Sequence, residues 1–378
     1  MDFSLSDTQQ MLRDTAERLV RERYGFEERK RILAGPGGFS RELWATYAEL
    51  GLLGIEVAED QGGIGGNFQD LAIVLEAFGR GLVVEPYVPT VVLGAGLVNA
   101  AGSDAQKADI LPRVVGGEAY LAFAHGEPKS RYTLAHVATS ATADGDGFSL
   151  TGDKAVVLGG DVADLFIVSA RTAGKAGDTD GLSLFLVPKD AAGLTVRGYP
   201  TVDGTRAAEV SLRGAKVGRD ALLGPEGGAF PLIAQALDRG AAALCAEAVG
   251  VMTALNELTL DYLKTRTQFG VPIGSFQVLQ HHMADMFIAQ EQARSMAILA
   301  ASRADSADAA ARSRAISAAK VQVGKSARFI GQQSVQMHGG IGITEEYVAG
   351  HYFKRLTTID RTFGDVDFHL TRFATLAA

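Results

Sequence analysis

The order in which hydrophobic periodicity changes along this chain constrains its fold more than any other feature. Up to about Gly117 the pattern is helical. Met11, Leu12, Ala16, Leu19 and Val20 recur at spacings of three and four, and Phe39-Ser40-Arg41-Glu42 reads as an N-cap opening a helix to Glu49. Further helices are predicted over 70–79 and 105–115, with a Gly-rich loop between Gly51 and Gly66. Short runs rich in Val, Leu, Phe and Thr follow: 120–124, 148–151, 155–158, 165–169, 183–187, 194–197 and 209–212. Gly, Asp, Lys and Pro separate them, as in a small β-barrel or sandwich. From Gly228 onward the pattern is helical again, over about 229–264, 276–304, 308–337 and a stretch from Glu345, with the small residues of a closely packed bundle. An α–β–α order excludes a doubly wound nucleotide fold, which alternates strand and helix throughout. At 378 residues the chain is long enough for two or three packed units. The fold class is therefore α+β, with boundaries expected at 1–118 (helical), 119–223 (β) and 224–378 (helical).

Composition narrows the function. A net charge of −8 argues against a general nucleic-acid binder, and the single cysteine, Cys245, permits no internal disulfide and no cysteine metal site. Cys245 sits among Ala and Leu and reads as a core residue. Met1-Asp2-Phe3-Ser4 lacks the basic-then-apolar pattern of a signal peptide, and the uncharged stretch 86–103 is broken by Pro89 and several glycines, so no membrane segment is expected and the expected location is cytoplasmic. The histidines, His281, His282 and His338 among them, form no metal-binding pair, and no dinucleotide or Walker loop is present.

Two segments carry candidate chemistry. The first runs from Arg266 through Gln268, Phe269 and Gly270 to Gln277, Gln280 and His281. It combines polar donors and an aromatic face at one helix-to-helix turn, a set suited to a phosphate and a planar ring or, more simply, to a capped helical hairpin. The second is Gln336-Met337-His338-Gly339-Gly340-Ile341-Gly342 followed by Thr344 and Glu345. Its glycines allow backbone N–H groups to approach a pyrophosphate, or simply turn a corner.

Together these segments resemble the flavin-binding elements of the acyl-CoA dehydrogenase family. The resemblance extends from about Phe3 to Phe373. It takes in Leu52-Leu53-Gly54-Ile55 with Glu59 to Gly66, the Gln106 to Glu118 segment, and Glu127-Pro128 with Leu150 to Lys154. It implies a helical domain, a β-barrel and a four-helix bundle, with FAD held between protomers. The FAD contacts it implies are Arg266, Gln268, Phe269, Gln277, Gln280, Gln336, His338, Gly339, Gly340 and Gly342. The implied reaction is α,β-dehydrogenation of an acyl-CoA thioester: a carboxylate takes the α-proton and a hydride passes to the flavin. Electron-transfer flavoprotein would be the acceptor, in fatty acid or steroid catabolism.

The chain departs from the family at the base. Most members carry it in a Tyr-Glu-Gly-Thr run, where this chain has Phe363-Gly364-Asp365-Val366. A minority place it two residues after a Leu-Asp pair, which here puts it at Gly240, after Leu237-Asp238. Asp365 is the nearest candidate base and Asp238 the alternative. Where the family has a hydroxyl before Glu-Pro and a Trp-x-Thr-Asn run, this chain has Gly126 and Val156 to Gly160. This mixture is similar to the small subunit of heteromeric bacterial enzymes such as the pimeloyl-CoA dehydrogenase type. It implies a paralogous partner in an α2β2 assembly, or else a homo-oligomer. The competing readings are a non-catalytic subunit that completes a paralogue's FAD site, and a flavin oxidase or monooxygenase on the same fold.

Overall fold

The computed structural model describes residues 4–377; Met1 to Phe3, where a signal peptide would begin, lie outside the described residues. The chain divides into two compact units. One comprises residues 32–67 and 84–240, the other 1–31, 68–83 and 241–378.

The first unit contains the sheet. Helix α3 (Arg41–Glu49) begins where Ser40 predicts, its side chain accepting from the Leu43 N–H, and it buries Leu43, Trp44 and Tyr47. Helix α6 (Asp104–Val115) starts with a capping box between Ser103 and Gln106. A π-helical segment (Val88–Ala95) leads into the short α5 (Gly96–Ala101). Eight strands form one sheet: β1 (Leu121–Ala124), β2 (Ser140–Asp144), β3 (Gly147–Leu158), β4 (Leu165–Arg171), β5 (Leu182–Pro188), β6 (Leu194–Pro200), β7 (Arg206–Gly218) and β8 (Leu222–Leu223). The order β6-β7-β3-β2-β4-β5-β8, with β1 beside β4, leaves the sheet open between β6 and β8. Among the described residues it does not close into the expected barrel. Its core is apolar, built on Phe148, Leu150, Phe166, Val168, Phe185 and Val210.

The second unit is helical. It contains α1 (Asp7–Arg23), capped by the Ser6–Gln9 box, the first part of α2 (Phe26–Ala34), and α4 (Phe68–Gly81). Helix α7 (Phe230–Thr265) enters it from residue 241 onward, and α8 (Gln277–Arg303), α9 (Ala309–His338), α10 (Val348–Arg361) and α11 (Val366–Ala377) follow. Helix α9 packs on α8, α10 and α11. Gly79 lies so close to the Glu247 carbonyl that a Cβ there would meet it at 2.1 Å, so α4 and α7 cross nearly backbone to backbone. Charge pairs reinforce the packing: Arg355 grips Glu247 at 2.5 and 2.6 Å, and Arg80 grips Glu257. By length and composition α7 could cross a membrane, but most of its apolar window is buried inside the protein. Helix α8 is apolar on more than one face: Val278, Phe287, Ile288, Ile298 and Leu299 remain exposed.

Candidate functional site

The Arg266 segment folds as a miniature hairpin rather than a plain helical turn. Strands β9 (Thr267–Gln268) and β10 (Val271–Pro272) pair antiparallel, and both turn residues have positive φ, Phe269 at 56° and Gly270 at 81°. That is the backbone of a type I′ turn, which Gly accepts freely and a bulky residue such as Phe rarely adopts. The turn lifts Phe269 into solvent, 90% exposed, with Phe276 edge-on at 6.1 Å. Arg266 and Gln268 are exposed on the same hairpin, and Gln277 and Gln280 follow at the start of α8, where Gln280 donates to the Gly274 carbonyl.

The second segment ends α9. Gly339 takes φ 65° and ψ −145°, a conformation essentially confined to glycine, and the chain passes through a 3-10 turn over Gly339–Ile343. A Cβ at Gly339 or Gly340 would meet nothing within 4 Å, so both backbones face open space. Gln336 is exposed, whereas His338 is buried beneath the turn. Tyr262, in the last turn of α7, joins the two segments. Its ring lies 4.5 Å from that of His338, and its hydroxyl donates to the His338 carbonyl at 3.3 Å. The structure thus brings both sequence motifs to one end of the helical unit.

The base positions are different. Gly364 lies on the loop between α10 and α11 with φ 112°, and a Cβ there would sit 2.4 Å from Phe368 Cδ1 and 2.6 Å from His369 Nε2. The volume a side chain needs is already occupied. His369 is held there by the Phe363 carbonyl, 3.0 Å from Nε2, and by the Ser317 hydroxyl, 3.2 Å from Nδ1. Burial, helped by nearby Lys320, pushes its imidazole down to about 3, so it stays neutral. Lys320 is itself buried and donates to the Ile359 and Thr362 carbonyls, tying off the end of α10. Asp365 is the N-cap of α11: one oxygen accepts from the Phe368 N–H at 3.0 Å and the other from Arg361 at 3.2 Å. Asp238 is buried on α7, and Gly240 is buried two residues further on.

The β-unit segment is likewise remodelled. Ala155 and Val156 bulge from β3 opposite the single residue Glu209 of β7. Val156 has φ 53° and is 58% exposed, an outlying conformation for a β-branched residue. A Cβ at Gly159 would meet Pro89 at 2.9 Å, and Pro86 lies beside it. The Ala155 N–H donates to the Gly126 carbonyl. Beneath them Lys154, fully buried, reaches Glu127 at 2.9 Å, while Glu127 also accepts from Thr139 and the Ala138 N–H. Burial lowers the Lys154 amine, and it would raise Glu127, but Lys154 and the donors outweigh that and keep the carboxylate ionised.

Models of the N-terminal, middle and C-terminal domains of acyl-CoA dehydrogenases match residues 6–118, 122–214 and 227–374. The chain belongs to the acyl-CoA dehydrogenase family. A probable acyl-CoA dehydrogenase of Bacillus subtilis, YngJ, is 31% identical over 92% of each chain. Among solved structures, a variant of the Tcur3481–Tcur3483 steroid acyl-CoA dehydrogenase is 30% identical, with TM-score 0.89, covering 99% of this chain and 98% of that one. The ChsE4–ChsE5 complex of Mycobacterium tuberculosis is 26% identical with TM-score 0.89 at the same coverage. Members are flavoproteins, and the cofactor of this acyl-CoA dehydrogenase is FAD. The donor set fits it: an exposed guanidinium, a carboxamide and an aromatic face on one hairpin, with two more carboxamides at the start of α8, beside two glycine backbones open to the exterior. Phe368, His369 and Lys320 are absent from the sequence-predicted site, and Pro86 and Pro89 enter the sequence reading only as part of an interrupted apolar stretch. Lys320 left no distinct signal, since the same helix carries Arg312, Arg314, Lys325 and Arg328.

Proposed function

We propose that this chain is the base-free member of a heteromeric acyl-CoA dehydrogenase: its C-terminal elements hold FAD, and a paralogous chain supplies the carboxylate. The filled space at Gly364 carries this reading. A member that lost its base by a bare Glu-to-Gly change would keep a hole there; here Phe368 and His369 occupy it. Asp365, the nearest alternative, spends both oxygens on a helix cap and an ion pair. The packing of Pro86 and Pro89 against Gly159 supports the same view from the β unit.

FAD, when bound, supplies the hydride acceptor for α,β-dehydrogenation of an acyl-CoA thioester. The chain's own share is binding. Arg266 neutralises phosphate charge, Gln268, Gln277, Gln280 and Gln336 offer hydrogen bonds, Phe269 offers a ring face, and the Gly339, Gly340 and Gly342 backbones allow close approach. The exposed apolar side chains of α8 support an obligate partner, and the likeness to two-chain enzymes makes a paralogue the first choice. Electron-transfer flavoprotein is the proposed acceptor.

The test is co-expression with a paralogous acyl-CoA dehydrogenase chain, followed by flavin bleaching with a panel of thioesters, steroid-derived ones first. Asp365→Asn should leave the bleaching rate unchanged, whereas a ~10²–10⁴-fold loss would make Asp365 the base and refute the proposal. Arg266→Ala should weaken FAD binding about tenfold or more. Unchanged FAD retention in that variant would remove the FAD assignment.

A further inference from the structure

His338 belongs to the motif that the resemblance assigns to FAD, yet only 3% of it is exposed. Its Nδ1 lies 2.8 Å from the Ser334 carbonyl, which requires the proton on Nδ1 and leaves Nε2 an acceptor. Nε2 is buried with no hydrogen-bond partner. The ring packs in a three-ring cluster with Tyr262 and Tyr347, 4.5 and 5.2 Å away and themselves 6.4 Å apart. Its Cβ supports the returning turn, because a side chain on Gly342 would come within 2.9 Å of it. Ser334 is in turn fixed to α7 through Thr259, 2.7 Å away.

A buried acceptor without a donor costs stability, and a thioether of similar size would avoid that cost. What the imidazole provides in return is geometric. It joins the end of α7, the last turn of α9, the start of α10 and the glycine turn at one point.

We propose that His338 is a positioning residue: it fixes the Gly339–Gly342 turn from beneath in the shape that receives the FAD diphosphate, and does not itself touch the cofactor. This rests on the FAD assignment above. Tyr262 serves the same purpose through the His338 carbonyl.

The experiment compares His338→Met and His338→Asn in the complex with the paralogous chain, measuring FAD affinity and, because bound FAD itself raises the melting temperature, the melting temperature of the same complex stripped of FAD. His338→Met removes the Nδ1–H and the flat ring. It should keep or raise the melting temperature while FAD affinity falls about tenfold. His338→Asn restores an N–H near the Nδ1 position and should hold FAD within about threefold of the wild type. Wild-type FAD affinity in His338→Met overturns the proposal, as does a loss of affinity that tracks a loss of melting temperature in both variants. If His338→Met does not assemble, Tyr262→Phe decides: severalfold weaker FAD at an unchanged melting temperature supports the proposal, and unchanged affinity overturns it. If Arg266→Ala also binds FAD normally, it is the FAD assignment itself that has failed.

Discussion

Gly364→Glu places a carboxylate at the position where the resemblance puts the base of most members, and the loop geometry states what that costs. At φ 112° any side chain is strained, worth about 1–2 kcal/mol for an L-residue. The new Cβ overlaps Phe368 at 2.4 Å and His369 at 2.6 Å, and forcing extra atoms into a packed site adds about 1–3 kcal/mol. Displacing His369 also breaks its bond to the Phe363 carbonyl, worth about 1 kcal/mol. The sum, about 3–6 kcal/mol, should lower the melting temperature of the helical unit by roughly 6–24 °C. Differential scanning calorimetry of the complex reads this directly, and stopped-flow flavin bleaching shows that no second reactive site has appeared. Adding His369→Ala should recover part of the lost stability by vacating the ring's volume. A Gly364→Glu chain that melts within about 2 °C of the wild type would show that the slot is open, and the base-free reading would lose its main support.

Stability should also fall in acid. Burial, aided by Lys154 and Lys320 respectively, pushes His125 and His369 down to about 3, whereas an unfolded histidine titrates near 6.5. The unfolded chain therefore takes up protons first as pH falls. Stability is complete above about pH 6.5 and declines towards pH 3, by about 2 kcal/mol per histidine at pH 5. Urea midpoints at pH 7.5 and 5.0 should differ by less in His125→Gln and His369→Gln than in the wild type; equal differences would contradict the assignment. In the β unit, Lys154→Met strands the Glu127 carboxylate and should cost about 3–5 kcal/mol by urea unfolding. Lys154→Met with Glu127→Gln should recover most of that loss, and no recovery would mean that the pair is not the source of the effect.

Periodicity and caps made the helices legible. Ser40 and the acid after it opened α3 at Arg41, and the long apolar patterns gave α7, α8 and α9 to within a residue or two at most ends. The stretch from Glu345 resolved into two helices, because Gly364 and the Asp365 cap interrupt it. Strand β2, Ser140-Ala-Thr-Ala-Asp, escaped notice because it is made of small and polar residues and owes its place to pairing with β3. Two predicted runs, 148–151 and 155–158, merged into β3 because Gly152 and Lys154 continue the ladder with β7. Openness of the sheet depends on which strands meet at its ends, and no local pattern encodes that. At the site, the exposed donors were readable as residue types at a turn. The burial of His338 and the filling of the Gly364 space were not, since both depend on side chains brought from other turns of the fold.

The outer face of α8 bears on how such a chain has to be produced. A nascent polypeptide that displays Val278, Phe287, Ile288, Ile298 and Leu299 to water can stick to any neighbour with a matching surface, including other copies of itself. Its safe lifetime alone is set by concentration: the longer it waits uncovered, the more of it is lost to clumping. Synthesis in step with whatever covers that helix, from one message or adjacent ones, shortens the wait. Overproduction of this chain by itself should instead fill inclusion bodies, and a second chain made in equal amount should bring it back into solution.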